Sequence, residues 1–200
     1  MDLFEAMDTN RAMRRLKPDP VPRELLEKLV HAATRAPSAG NTQHWGFVVV
    51  TNREDMQFLA DILQRRMGQF SREAENDAQG RMMRAVRYLI THFHETPAVI
   101  FCCIRNAYPT AERPISATMW STIFPATQNL LLAARGLGLG AAMTTFQAGA
   151  EDEIKARFGI PDDVYIGSTI PVGWPMGRFG PLGRKPIDEV LHWERWGGDA

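Results

Sequence analysis

The sequence predicts an α+β fold, on three observations. Its helical patterns are long, its strand-like runs are few, and two of its helices follow one another with no strand between. Two hundred residues with 44% hydrophobic and 23% charged content are ordinary for one globular unit. No repeat, low-complexity tract or linker interrupts them, so residues 1–200 are taken as a single domain.

In chain order, residues 2–10 are predicted to form a short helix with Leu3, Ala6 and Met7 on one face. Pro18, Pro20 and Pro22 then mark a turn, and Pro22 suits the start of a helix over 23–36. That helix carries a stripe of Leu25, Leu26, Leu29, Val30 and Ala33. The first strand covers about 45–51. Residues 53–68 are amphipathic, with Phe58, Leu59, Ile62 and Leu63 on the apolar face. A polar stretch over 69–80 leads to a helix over 80–94 through Met83, Val86, Tyr88, Leu89 and Ile90, and Pro97 ends it before a second strand, Ala98–Ile104. Ile115 to Arg135 is the longest apolar helix and should lie buried at the centre, with Pro125 kinking or splitting it. Gly136, Gly138 and Gly140 close it ahead of a third strand, Ala141–Phe146. These glycines follow a helix and precede a strand, the reverse of a dinucleotide fingerprint. A helix over 150–158 ends at Gly159, and a fourth strand, Val164–Val172, runs into Gly173, Trp174 and Pro175. The 184–200 tail, with Trp193 and Trp196, is apolar enough that it should dock on its own core or on a partner subunit.

Composition removes several function classes. The net charge is zero, so nothing general draws nucleic acid or an anionic membrane, and any anion site must be local. No apolar run approaches the roughly 20 residues of a membrane helix, and the N-terminus lacks the order of a secretory signal. Cys102 and Cys103 are adjacent on a predicted strand and should point to opposite faces, which argues against a metal pair or a disulfide framework. They read as buried small hydrophobes in a reducing compartment, and the expected location is cytoplasmic. His92 and His94 lie two apart without partner ligands and read as surface or capping residues; no metal site is expected. Gly-x-Ser-x-Gly is absent and neither cysteine has an adjacent base, so covalent hydrolysis has no support.

Two segments carry candidate chemistry. Arg11, Arg14 and Arg15, around Met13 and close to Lys17, form the densest cationic cluster. If the first helix continues past Asn10, Arg11 shares a face with Arg14 and Arg15. Converging guanidiniums suit a phosphate, although they could equally satisfy carbonyls at the helix end. Arg184 and Lys185 could add a second cationic wall. The loop Ala36 to Trp45 offers Ser38, Asn41 and Gln43, neutral hydrogen-bonding groups that suit a flat polar-edged heterocycle. They could also do no more than bond their own turn. Met143, Thr144 and Thr145 leave a strand end with hydroxyls and amides that can reach ring nitrogens and oxygens.

Taken together, these segments resemble the flavin-dependent nitroreductase family over nearly the whole chain. The resemblance rests on Arg11 to Pro22, on Ala36-Pro37-Ser38-Ala39-Gly40-Asn41-Thr42-Gln43-His44-Trp45, on Gln128-Asn129 through Gly140, and on Arg184-Lys185-Pro186. It implies a nitroreductase-like fold, a mostly antiparallel central sheet flanked by helices, in an intertwined homodimer with FMN at the subunit interface. It also implies that Arg11, Met13, Arg14, Arg15 and Arg184 surround the phosphate and pyrimidine side of FMN. Ser38, Asn41 and Gln43 would contact flavin, some from the opposite subunit, and Met143, Thr144 and Thr145 would run past the ring. Region 52–95 would be the variable cover over the substrate. The implied activity is ping-pong transfer of reducing equivalents from NADPH or NADH to nitroaromatics, quinones or activated alkenes, with no indispensable protein acid or base. Two alternatives are a flavin store without turnover and an oxygen-dependent enzyme that consumes its flavin. The chain departs from the family in having Asn10 and Ala12 where an arginine and a serine are usual, which leaves compensation to Arg14, Arg15 or Arg184. His44 replaces a proline and would place an ionisable ring near flavin or substrate. Region 52–95 contains no lysine, unlike the lid of the deiodinase branch, which clamps its substrate with a Glu, a Tyr and a Lys.

Overall fold

The computed structural model describes residues 1–70, 76–110 and 115–198. In order, the described elements are α1 (Leu3–Thr9), α2 (Arg23–Ala33), β1 (Trp45–Val50), α3 (Arg53–Arg65), α4 (Asp77–Thr91), β2 (Ala98–Arg105), α5 (Ala117–Gly136), β3 (Gly140–Ala141), α6 (Glu151–Phe158) and β4 (Val164–Gly173). The strands form one antiparallel sheet in the order β1-β2-β4-β3, with helices on both faces. The α+β expectation and the antiparallel sheet both hold.

β2 explains the layering. Its alternation sends Ala98, Ile100, Cys102 and Ile104 to the face covered by α2 and α5, and Val99, Phe101 and Cys103 to the face covered by α3, α4 and α6. Cys102 and Cys103 therefore do point to opposite faces, and both are buried free thiols. The pairing of β2 with β4 slips between these two cysteines, so Gly167 stands without a partner at a bulge. A Cβ on Gly167 would lie 2.8 Å from Ile123, so the missing side chain lets α5 settle on the sheet.

Several expectations need correction. On α1 only Ala6 is buried; Leu3 and Met7, expected on its inward face, are exposed, and Phe4 is 75% exposed. The seven-residue helix packs by one contact stripe against α5 and leaves its apolar surface outward. The third strand is reduced to Gly140–Ala141, followed by a single bridge between Thr144 and Thr169. Met143 turns outward between them, breaking the ladder. Pro125 does not split α5, which runs as one 20-residue helix. The surrounding turns are held by the sheet and α2, so burial outweighs the one backbone bond a proline forgoes. Helix α4 begins earlier than expected, because Asn76 accepts from the Gln79 N–H as an N-cap. Part of the 69–80 stretch, residues 71–75, lies outside the described residues.

The tail meets the rest of its chain at Arg184, which shares a cavity with Arg11, but among the described residues most of its apolar side chains from Ile187 onward stay in solvent. Ile187, Val190 and Trp193 are more than half exposed and Trp196 is 90% exposed. Among the described residues no helix is long and apolar enough to cross a membrane.

Candidate functional site

The site is built where α1, α5 and the tail meet. Helix α1 stops at Asn10, whose backbone turns to an extended conformation (φ −71°, ψ 109°). The helix therefore does not continue through the arginines, contrary to the expectation that Arg11, Arg14 and Arg15 would share a helical face. The sheet captures the segment instead. The Met13 N–H donates to the Ala141 carbonyl at 2.9 Å, Lys17 N–H donates to Trp174, and Leu16 bridges Pro175. Gly140 makes the close approach possible, since a Cβ there would sit 2.9 Å from the Met13 and Leu16 side chains.

An extended segment disperses its side chains, and the three arginines go different ways. Arg11 lines a cavity of about 630 Å³ together with Asn10, Gln128, Leu131, Met143 and Arg184. Asp8 also lines it and is its acidic group. Arg14 is half-buried, and desolvation lowers its pKa from the ordinary arginine value while the guanidinium stays charged. Arg15 lies over the Tyr88 ring at 4.7 Å, a cation–π contact with α4. Met13 is buried under the segment. Among the described residues no ion pair engages Arg11, Arg14, Arg15 or Arg184.

Arg135, at the end of α5, ties the walls together and is 12% exposed. Its Nε donates to Thr9 Oγ1 at 2.8 Å, its guanidinium faces Glu5 at 3.9 Å, and it lies over the Phe179 ring at 4.3 Å. The Leu182 N–H donates to the Asp8 carbonyl. These contacts hold the tail segment carrying Arg184 against the end of α1 carrying Arg11. Two cations that form no ion pair among the described residues, two primary amides and an apolar wall thus share one cavity, a donor set suited to a phosphate joined to an apolar body.

The other predicted residues are arranged less simply. Met143 lines the cavity and is exposed. Thr144 is buried and its hydroxyl donates to the Thr169 carbonyl at 2.7 Å, so it is committed to the fold. Thr145 is exposed beside it. The loop residues Gly40, Asn41 and Gln43 have φ of 56°, 54° and 53°, interrupted by Thr42 at −72°, and a positive φ is unusual for glutamine. Ser38 Oγ accepts from the Gln43 N–H at 3.2 Å, and the Ala39 N–H donates to Thr122 Oγ1 on α5. Gly40 permits this turn and the approach of the Tyr108 hydroxyl over it. The loop sits by Thr122, six residues before Gln128 on α5, and none of Ser38, Asn41 and Gln43 lines the cavity. The His44 carbonyl accepts from the Arg105 N–H and its ring is exposed.

The sequence reading missed Gln128, Asp8 and Tyr88. Gln128 was visible as a polar residue in the apolar stretch of α5, whereas only the fold could bring Tyr88 to Arg15. A larger cavity of about 760 Å³ lies between α2 and the open edge of β1. Its cations are already engaged, Arg23 with Glu27 and Arg53 with the His94 and Pro18 carbonyls.

Comparison with known proteins gives the family and the fold. The Nitroreductase family profile matches residues 8–174. A protein of Methanothermobacter thermautotrophicus that carries the name NADH dehydrogenase/NAD(P)H nitroreductase is 31% identical over 98% of this chain and 88% of its own length. A crystal structure under the same name from Parabacteroides distasonis superposes with a TM-score of 0.70 at 26% identity, covering 96% of this chain and 98% of that one. A nitroreductase with bound FMN from Desulfitobacterium hafniense shares the fold, with a TM-score of 0.72 at 23% identity over 96% and 97% of the two chains.

Proposed function

The chain belongs to the nitroreductase family, and from that premise we propose that it is an FMN-dependent oxidoreductase using NADH or NADPH. The observation that carries this reading is the cavity holding Arg11, Arg184 and Gln128. Its donor set fits the cofactor: guanidiniums in no ion pair among the described residues for the phosphate, the Gln128 amide for a polar ring edge, and Leu131, Ala141 and Met143 for the apolar body. The chemistry that FMN supplies when bound is hydride transfer from a reduced nicotinamide to a nitroaromatic, quinone or activated alkene, in alternating half-reactions. Arg11 and Arg184 anchor the phosphate. Arg14, half-buried and in no ion pair among the described residues, adds positive potential along the same segment. Met13 and Gly140 fix that segment to the sheet. No side chain of this chain is assigned a catalytic role; binding, orientation and positive potential are the protein's share.

The same reading makes the protein a homodimer, with residues 1–200 as one domain in each subunit. Ser38, Asn41 and Gln43 stand away from the cavity of their own chain, so they serve the site of the second copy. Exposed Leu3, Phe4 and Met7 on α1, the stacked Trp120 and Phe124 on α5, and the exposed part of the tail supply apolar surface for that association.

An anaerobic visible spectrum of the purified protein, taken before and after NADPH and NADH, tests the reading. A flavin band that bleaches is expected. Flavin that stays oxidised favours a storage role, oxygen-dependent loss of the chromophore favours a flavin-consuming enzyme, and no flavin after incubation with FMN overturns the assignment.

A further inference from the structure

Helix α4 carries a cationic stripe that the site described above does not use. Arg81, Arg84 and Arg87 are all exposed, and among the described residues none has an ion-pair partner. Arg81 and Arg84 stand at i and i+3 to Tyr88 at i+7, so they share the helix face on which Tyr88 lies. Arg15 covers the Tyr88 ring at 4.7 Å, and the Tyr88 hydroxyl meets Met176 Sδ at 3.6 Å. His92 also stacks on Tyr88, with ring centroids 4.1 Å apart. Through Tyr88, the helix that carries the stripe meets Arg15, on the same segment as the cavity-lining Arg11. Arg11 and Arg15 are four residues apart on an extended chain, about 13 Å, which is within the length of a nicotinamide dinucleotide. Asp77, one turn before Arg81, is the carboxylate nearest along this face. The chain has zero net charge, so this run of like charges is a local feature and not a reflection of composition.

We propose that this face selects the electron donor, with Arg81 and Arg84 taking the 2′-phosphate of NADPH so that NADPH is preferred to NADH. Guanidinium forks suit a dianionic phosphate ester, and arginine is the residue that receives a 2′-phosphate where other folds make the same choice. An adenosine ribose without that phosphate gains nothing from the stripe. Ordinary solvated cations would give no preference between the two nucleotides.

This inference rests on the nicotinamide-dependent reading, and two measurements on the full chain separate them. The first is titration calorimetry with adenosine 2′,5′-bisphosphate and with AMP. The second compares anaerobic bleaching of bound flavin by NADPH and NADH, for the native protein and for R81Q/R84Q. The native protein should bind the bisphosphate more tightly than AMP and favour NADPH. In the double variant the NADPH-to-NADH ratio of kcat/KM should fall about tenfold to a hundredfold, the scale of lost charge-assisted hydrogen bonds. Raising the salt concentration should lower the same ratio in the native protein. Equal use of the two donors, or a ratio unchanged in the variant, overturns the inference and leaves the oxidoreductase reading intact. Bisphosphate binding that is lost in the variant, with no bleaching by either donor, retains the phosphate site and overturns the nicotinamide reading.

Discussion

Arg11 and Arg184 reach one cavity from segments more than 170 residues apart in sequence, and among the described residues neither forms an ion pair. Replacing either with alanine should raise the dissociation constant for FMN about tenfold to a hundredfold, as loss of a charge-assisted contact costs about 1.5–3 kcal/mol. Flavin retained per subunit after gel filtration measures this, and full retention in both variants would sink the phosphate clamp. The cysteines provide a second test at this scale. Burial pushes the Cys103 thiol up to about 12, and it pushes Cys102 upward as well. Since the thiolate is the reactive form, neither should react with a disulfide reagent at pH 8 in the folded protein, and both should react on unfolding. Rapid labelling of the native state would place them outside the core.

At the scale of elements, helix α3 shows how local signals set a boundary. Asn52 caps it by accepting from the Asp55 N–H at 2.9 Å, and the Asp55 carboxylate is held by Asn52 and by Arg157. These contacts, the Asn52 hydrogen bond foremost, keep Asp55 below the usual carboxylate range. A depressed carboxylate stabilises the fold above its unfolded value of about 3.9 and loses that contribution as pH falls through the folded value. Denaturant midpoints should therefore drop below about pH 4, and Asp55→Asn should flatten that drop while lowering stability at pH 7. Asn52→Ala should cost about 1 kcal/mol at pH 7 through loss of the cap. An acid limb that is the same in Asp55→Asn and the native protein would assign it to other groups.

For the whole molecule, exposed apolar surface dominates. The tail leaves Trp193 and Trp196 in solvent, and α1 leaves Phe4 there. A second copy covering these surfaces would bury side chains worth about 1.5–3 kcal/mol each. Sedimentation equilibrium should give twice the chain mass of 22.5 kDa, and Trp193→Ala combined with Trp196→Ala should weaken the dimer at least tenfold. A native protein that is a monomer at micromolar concentration would refute the homodimer.

Periodicity and punctuation made most elements legible before any coordinates. Pro97 marked off the 98–104 run as a strand after a helix, and that run is the central β2. Gly159 ended α6 as expected, in a left-handed C-cap with φ of 63°. The adjacent cysteines fell on opposite faces because strand geometry leaves no alternative. These features depend on neighbours in sequence, so the sequence alone determined them. The arginine segment behaved otherwise. Its local pattern was compatible with a helix, but the Ala141 and Trp174 carbonyls captured its amides from more than 120 residues away. Thr144 looked available and spends its hydroxyl on Thr169, and Arg15 looked like a phosphate ligand and lies on Tyr88. The direction in which each polar group points was decided by partners distant in the chain, and only the tertiary structure brings those partners within hydrogen-bonding reach.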